Sequence, residues 1–445
     1  MPLDPNVDNL SGLERLGRAL SFYSAAVPVF ASYKGEELSD TYVEERFDEL
    51  HEWGSEVITE KIKDLKGFYV KTGQIISTRV DIFPPQYTSK LAITQDKLDP
   101  IPAHIIKDVV RRELLQGAPL DELFLEFDDI PLGSASIAQV HRAKLLDGRV
   151  VAVKVQRPGI KGKLLGDIAN LKTFAKIIGE SLLIDYYKIF VEMEKTLQFE
   201  LDFLFEAQAT AKVAAAVAHS PSNKPQTPSV TVPLAIPGLV STRVMVMEYV
   251  DGVALSQMAK EMSDRGVVSG SPESLLLGRK LLSSLTDAYA SMIFGSGIIH
   301  GDPHPGNIFI LDGGEVALLD CGQVKQISTA QRTSLARLII LVNDWEAELG
   351  LLTTALADSV KSFGVFFKEG AGDECAAAVA ILLFGSTDTI LPGGYAGEEV
   401  SMDSPIVQVS EFPSEFILLG RATVMIKGIA NRLGLTWGLS DRWAK

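Results

Sequence analysis

The stretch HGDPHPGN, residues 300–307, follows the apolar pair Ile298-Ile299 and packs two histidines, an aspartate, an asparagine, two prolines and two glycines into one segment. Two readings compete for it. One is a rigid surface turn, since proline fixes φ and glycine relieves strain. The other is a loop stiffened so that Asp302 and Asn307 keep a fixed geometry. The following residues decide between them. NIFIL (307–311), DGGE and VALLD (316–320) read as two short apolar strands around a tight turn. Asp320 therefore ends a strand, and Cys321-Gly322 follows it.

An aspartate, an asparagine later in the same loop, then Asp-x-Gly beyond a hairpin is the catalytic order of protein kinases. The chemistry accounts for the parts. Phosphoryl transfer needs its charge neutralised by Mg²⁺, which prefers oxygen ligands. Asn307 and Asp320 carry such oxygens, and Asp302 is suited to orient or deprotonate the nucleophile.

Upstream segments supply the other parts in order. In RVVAVKV (149–155), Val150, Ala152 and Lys154 share one face of a strand. Alone, Lys154 reads as an edge-strand lysine reaching for water; within the series it reads as a lysine aimed at phosphate. A lysine among apolar residues needs a paired charge, and ELDFLFEA (200–207) offers carboxylates. The spacing predicts Asp202 and Glu206 on one helical face, with Glu200 on another side. Phe199, Leu201, Phe203, Leu204 and Phe205 surround them, so these acids are expected to have designated cations. MEYV (247–250) reads as a hinge-like strand. One part departs from ordinary kinases. The segment PLGSASIAQVH (131–141) has Gly133 followed by Ser134, Ala135 and Ser136 where a glycine-rich phosphate loop belongs, so a stiffer loop is expected.

Periodicity organises the rest. Leu10, Leu13, Leu16, Leu20 and Phe22, then Ile58, Ile62, Leu65 and Phe68, recur at helical spacing. FPPQY (83–87) and DPIP (99–102) interrupt them. IAQVHRAKLL and RVVAVKV form a hairpin through Asp147-Gly148. A long helical stretch is predicted over 161–217, a polar Pro-rich loop over 220–229, then strands in VTVPLAIPG and TRVMVMEYV. Helices dominate from 251. The expected fold is α+β with two lobes: a helical extension over 1–125, a small-sheet lobe with inserted helices over 126–250, and a mainly helical lobe over 251–445.

Composition narrows the function. The chain has 445 residues, 46% apolar and 22% charged, with a net charge of −15. That acidic balance argues against a nucleic-acid partner. Cys321 and Cys375, the two cysteines, provide no disulfide framework. His300 and His304 are separated by Pro303, which forbids the helix that would align them on a metal. No run is long and apolar enough for a membrane span. The N-terminus reads as neither a secretory signal nor an Arg-rich transit peptide.

Together these motifs resemble the UbiB family of atypical protein-kinase-like proteins, associated with isoprenoid-quinone pathways. The resemblance runs from about residue 55 to 435 and rests on four signatures: KTGQ (71–74) with FPPQY and TQDKLDPIP after it, GSASIAQVHRA (133–143), ELDFLFEA, and HGDPHPGN with DCG. It implies a two-lobed protein-kinase-like fold and an ATP- or ADP-binding, Mg²⁺-dependent kinase or ATPase. Lys154 would pair with Glu206 and meet the phosphates, under the loop Gly133–Ser136. Glu248 to Val250 would receive adenine, Asp302 would be the catalytic aspartate, and Asn307 and Asp320 would bind Mg²⁺. Lys71 and Gln74, on one helical face, would regulate the site, Lys71 through Glu200 or Asp202. Gly133 stands where many members have alanine, which leaves ATP against ADP preference open. The implied partners are quinone-precursor lipids, quinone-biosynthesis proteins and a peripheral membrane surface in a mitochondrion or plastid, with the segment Leu10 to Phe30 a candidate for membrane contact. The rival readings are a non-catalytic nucleotide-binding scaffold and a small-molecule kinase.

Overall fold

The computed structural model describes residues 11–38, 44–77, 84–92, 99–178, 186–218, 230–264, 266, 270–347, 352–395 and 404–445. Within them the chain runs through helices α1 (Gly12–Glu37), α2 (Glu44–Leu65), α3 (Phe68–Ser77), α4 (Pro85–Ala92) and α5 (Ala103–Leu115). Strands β1 (Phe124–Phe127), β2 (Gly133–Ser134), β3 (Ala138–Leu145) and β4 (Val150–Gln156) follow, then helices α6 (Ile160–Ile178), α7 (Tyr186–Glu200) and α8 (Phe203–Ala218). Strands β5 (Val230–Thr231), β6 (Ala235–Val240), β7 (Val244–Glu248) and β8 (Gly252–Ala254) lead into helices α9 (Leu255–Asp264) and α10 (Pro272–Ala290). Strands β9 (Ile298–His300), β10 (Ile308–Leu311), β11 (Val316–Leu318) and β12 (Val324–Gln326) come next. The chain closes with α11 (Thr329–Ala347), α12 (Thr353–Ser362), β13 (Phe366–Phe367), α13 (Asp373–Phe384), β14 (Val409–Glu411), α14 (Ser414–Arg432) and α15 (Ser440–Trp443). This is the α+β make-up expected. The Pro-rich segment 220–229 falls outside the described residues, apart from its neighbours.

Contacts group the chain into two compact units. The first comprises Met1–Leu204 and Ile236–Met247. Its sheet has the order β1-β3-β4-β7-β6, with β2 on β3. The hairpin at Asp147-Gly148 is antiparallel from Ala138↔Gln156 to Lys144↔Val150, and Gly148 takes φ 89°, which a side chain would resist. Val151, Val153 and Val155 pack with Ile106, Val109 and Val110 of α5, so period 2 turns Lys154 to the other face. A separate core joins the N-terminal helices to α6 through Phe22, Ile62, Phe68, Tyr69, Leu164 and Ile168.

Two helical readings change. The periodicity of Ile58, Ile62, Leu65 and Phe68 spans a break: α2 ends at Leu65, and Lys66 and Gly67 take φ 53° and 66° before α3 begins. The long helix read over 161–217 is divided into α6, α7 and α8. Asp202 lies outside both flanking helices, and its Oδ1 accepts the Leu204 N–H at 2.9 Å. Its short side chain competes for backbone groups and so ends one helix and caps the next. Asp202 and Glu206 therefore do not share a continuous helical face.

The second unit comprises Phe205–Ala235 and Glu248–Lys445. It holds a sheet of order β5-β11-β10-β8 and the ladders β9–β12 and β13–β14. Every residue of α13 from Cys375 to Phe384 is buried, as expected of a helix that is apolar all round. Among the described residues, no helix is long and apolar enough to cross a membrane.

Candidate active site

The first unit carries the loop and the lysine. Gly133 and Ser134 pair with Val140 and Gln139 of β3, so the loop is a tight strand-turn-strand. Arg157, just past β4, holds it from beneath: its Nε donates to the Ala135 carbonyl at 2.7 Å, and its Nη2 to Ser134 Oγ at 2.5 Å and to the Asp99 carbonyl at 2.9 Å. Ser136 is buried. A side chain added at Gly133 would meet nothing within 4 Å, so alanine fits this position. Lys154 is half-buried, and its Nζ lies 5.1 Å from the centre of the Phe203 ring, a cation–π distance. Lys71 and Gln74 sit on α3, three apart, but their side chains lie outside the described set. Glu200 is half-buried at the end of α7.

The second unit carries the carboxylates. Glu206 is 6% exposed in the first turn of α8. Glu248 ends β7; its N–H donates to the Leu234 carbonyl at 3.0 Å and its Oε2 accepts the Leu234 N–H at 2.9 Å. Glu248 itself is exposed, and Val250 is half-buried two residues on.

The HGDPHPGN loop is built by its own residues. The His304 ring accepts the Gly306 N–H at 3.0 Å, and the Asn307 N–H reaches the His304 carbonyl at 2.7 Å. The loop is anchored on both sides. Before it, β9 pairs with β12 at His300↔Val324. After it, β10 pairs with β11 at Ile308↔Leu318, and the Leu319 N–H donates to the Asn307 carbonyl at 2.8 Å. Asn307 and Asp320 thus emerge at the same end of one hairpin.

His300 locks the arrangement. Its Nε2 donates to the Asp320 carbonyl at 3.0 Å, and a carbonyl only accepts, so Nε2 carries the proton. Its Nδ1 then accepts from the Tyr289 hydroxyl at 2.9 Å. Burial holds the imidazole below its ordinary pKa, opposed by the Asp320 carbonyl and the nearby carboxylates, and raises that of the Tyr289 phenol. Asp320 takes φ 62°, an unusual conformation for a residue with a side chain, and its Oδ1 accepts the Gly322 N–H at 3.1 Å. Asp302 Oδ1 meets Arg421 Nη2 at 3.2 Å.

Among the described residues no group of three or more His, Cys, Asp or Glu side chains is placed to hold a metal ion. Asn307 carries an amide oxygen and Asp320 a carboxylate, oxygen donors of the kind that Mg²⁺ takes. Arg157, Tyr289 and Arg421 are absent from the sequence reading. Arg421 has no local signal at all, because its partner lies in a loop far upstream. Tyr289 had a weak one, as a tyrosine in an apolar helix needs a partner for its hydroxyl.

Paired ladders that present Asp302, Asn307 and Asp320 define a kinase-like class of protein, and comparison with known proteins agrees. The ABC1 atypical kinase-like domain matches residues 93–348, more than half of the chain. The chain is 28% identical to AarF domain-containing protein kinase 1 of Mus musculus over 453 residues, covering 97% of this chain and 80% of the relative. It is 34% identical to the probable protein kinase UbiB of Aliivibrio fischeri over 284 residues, covering 62% of this chain and 49% of that one. A Mycobacterium tuberculosis protein solved in complex with erythromycin shares the fold, with a TM-score of 0.57 at 22% identity, over 90% of this chain and 99% of the other. This chain belongs to the ABC1, or UbiB-type, atypical kinase-like family.

Proposed function

We propose that this protein binds ATP or ADP with Mg²⁺ and acts as a UbiB-type atypical kinase or ATPase in isoprenoid-quinone lipid metabolism, at a membrane surface of a mitochondrion or plastid. The observation that carries the reading is the placement of Asp302, Asn307 and Asp320 by two strand ladders with His300 between them. Bound Mg²⁺ would neutralise charge on the nucleotide phosphates. Asn307 and Asp320 are the residues to hold it. Lys154 would pair with Glu206 and orient the phosphates under the Gly133–Ser136 loop, and the Glu248–Val250 backbone would take adenine. Asp302 would accept the proton of the acceptor hydroxyl as that oxygen bonds to the γ-phosphorus and ADP leaves. Lys71 would regulate the site through Glu200 or Asp202, with Gln74 beside it on α3.

The test is nucleotide turnover by the purified protein, with and without anionic liposomes and quinone-precursor mimics, alongside thermal-shift titration. Mg-nucleotide should stabilise the wild type and Asp320→Asn should lose most of that stabilisation. Equal stabilisation of both overturns the metal role, and binding without any turnover leaves the scaffold reading in its place.

A further inference from the structure

We propose that α14 is the positioning element of the catalytic loop and that Arg421 is the residue through which it sets the Asp302 carboxylate; this rests on Asp302 being the catalytic aspartate. Three positions spaced along α14 engage the loop and its supporting ladder. Glu415 Oε1 meets Lys325 Nζ of β12 at 3.0 Å. Leu418 lies so close to Gly301 that a Cβ there would come 2.5 Å from its Cδ2. Arg421 donates through Nη1 to Gln323 Oε1 at 2.8 Å and through Nη2 to Asp302 Oδ1 at 3.2 Å. Gln323 and Asp302 flank the β9–β12 ladder, and the Gly301 N–H donates to the Gln323 carbonyl at 2.8 Å. One rigid guanidinium thus spans both sides of the ladder, which a lysine cannot do.

Magnitude separates positioning from mere support. Arg421 and Asp302 are 38% and 23% exposed, so the contact contributes little to stability after solvent screening. Orientation is a different matter, because misplacing a reacting group by about 1 Å costs on the order of 100-fold in rate. With Oδ1 held by Arg421, Oδ2 would be the carboxylate oxygen left to take the proton of the acceptor hydroxyl. The expectation is a residue that matters to turnover and little to folding.

The experiment measures kcat, nucleotide KM, nucleotide Kd and Tm for the full chain as wild type, Arg421→Gln and Arg421→Lys. Arg421→Gln should lower kcat by about 10- to 100-fold with KM, Kd and Tm nearly unchanged. Arg421→Lys should recover part of the loss. Wild-type kcat in both variants overturns the role, as does a parallel collapse of Tm and Kd in both. Should Arg421→Gln fail to fold, the lysine variant decides alone: reduced kcat at unchanged KM supports positioning, and full kcat overturns it. A wild type without turnover overturns the kinase reading and this role with it, whereas an active wild type with active variants overturns this role only.

Discussion

His300 stays neutral in the fold because it is buried and because its two ring nitrogens are committed, one as donor to Asp320 and one as acceptor from Tyr289. Its pKa is lower in the folded than in the unfolded chain. As pH falls, the unfolded chain takes the proton first. The associated stability is therefore complete above the ordinary histidine pKa of about 6.5 and is lost as pH drops below it. His51 and His141 are shifted in the same direction, burial being the main cause for each, so the variant, not the wild type alone, isolates the effect. Between pH 7.5 and 5.5 the Tm of His300→Asn should fall less steeply than that of the wild type. Parallel slopes would show that His300 does not titrate on unfolding. The sequence shows this histidine two residues before an aspartate but not that it is buried, since burial comes from α10 and the β9–β12 ladder.

At the scale of elements, one buried ion pair organises the start of the chain. Arg18 of α1 meets Asp167 of α6 through two hydrogen bonds, of 2.7 and 2.6 Å, with side chains 11% and 1% exposed. Arg18 Nη1 also donates to the Leu65 carbonyl at 2.7 Å, at the end of α2. Asp167 Oδ2 accepts the Phe68 N–H at 3.3 Å, at the start of α3. The pair thus caps both helices at the break between them, and places the helix that carries KTGQ. Burial raises the Asp167 carboxyl although Arg18 opposes the shift. Removing Arg18 would leave that carboxyl without its hydrogen-bonded cation and with the nearby Lys163 alone to oppose its burial; breaking a buried pair in this way costs about 3–5 kcal/mol, with Lys163 placing the expectation at the lower end. Arg18→Ala should lower stability by that order in denaturant titration, while Arg18→Ala with Asp167→Leu should recover a large part. A loss under 1 kcal/mol in the single variant would mean that the helices hold their places without the pair. Neither residue stands out in the sequence, because helix spacing records a face but not which distant helix covers it.

At the scale of the molecule, the apolar periodicity of α1 serves two surfaces. Phe22, Ala25, Ala26 and Val29 are buried, while Leu13, Leu16, Leu20 and Val27 are exposed. The exposed set recurs at helical spacing and forms a stripe. With a net charge of −15, electrostatics would not draw the protein to an anionic membrane, so attachment would depend on that stripe. The wild type is expected to float with phospholipid vesicles, and Leu16→Asp with Leu20→Asp to remain in the dense fractions. Equal flotation of both, or of neither, removes α1 from any membrane role.

Some features were set by sequence alone. The β3–β4 hairpin follows from alternating apolar residues around Asp-Gly, and the motifs that hold Lys154, Glu206, Asp302, Asn307 and Asp320 are each legible as short runs, because the hairpin and each single motif depend on residues near one another in the chain. Tertiary structure decided what depends on distant partners. It broke α2 from α3 over Arg18 and Asp167, turned half of the α1 apolar pattern outward, and set Arg421 on Asp302. Each of these is a matter of burial or of a hydrogen bond closed across a long span of chain, and local spacing carries no record of either.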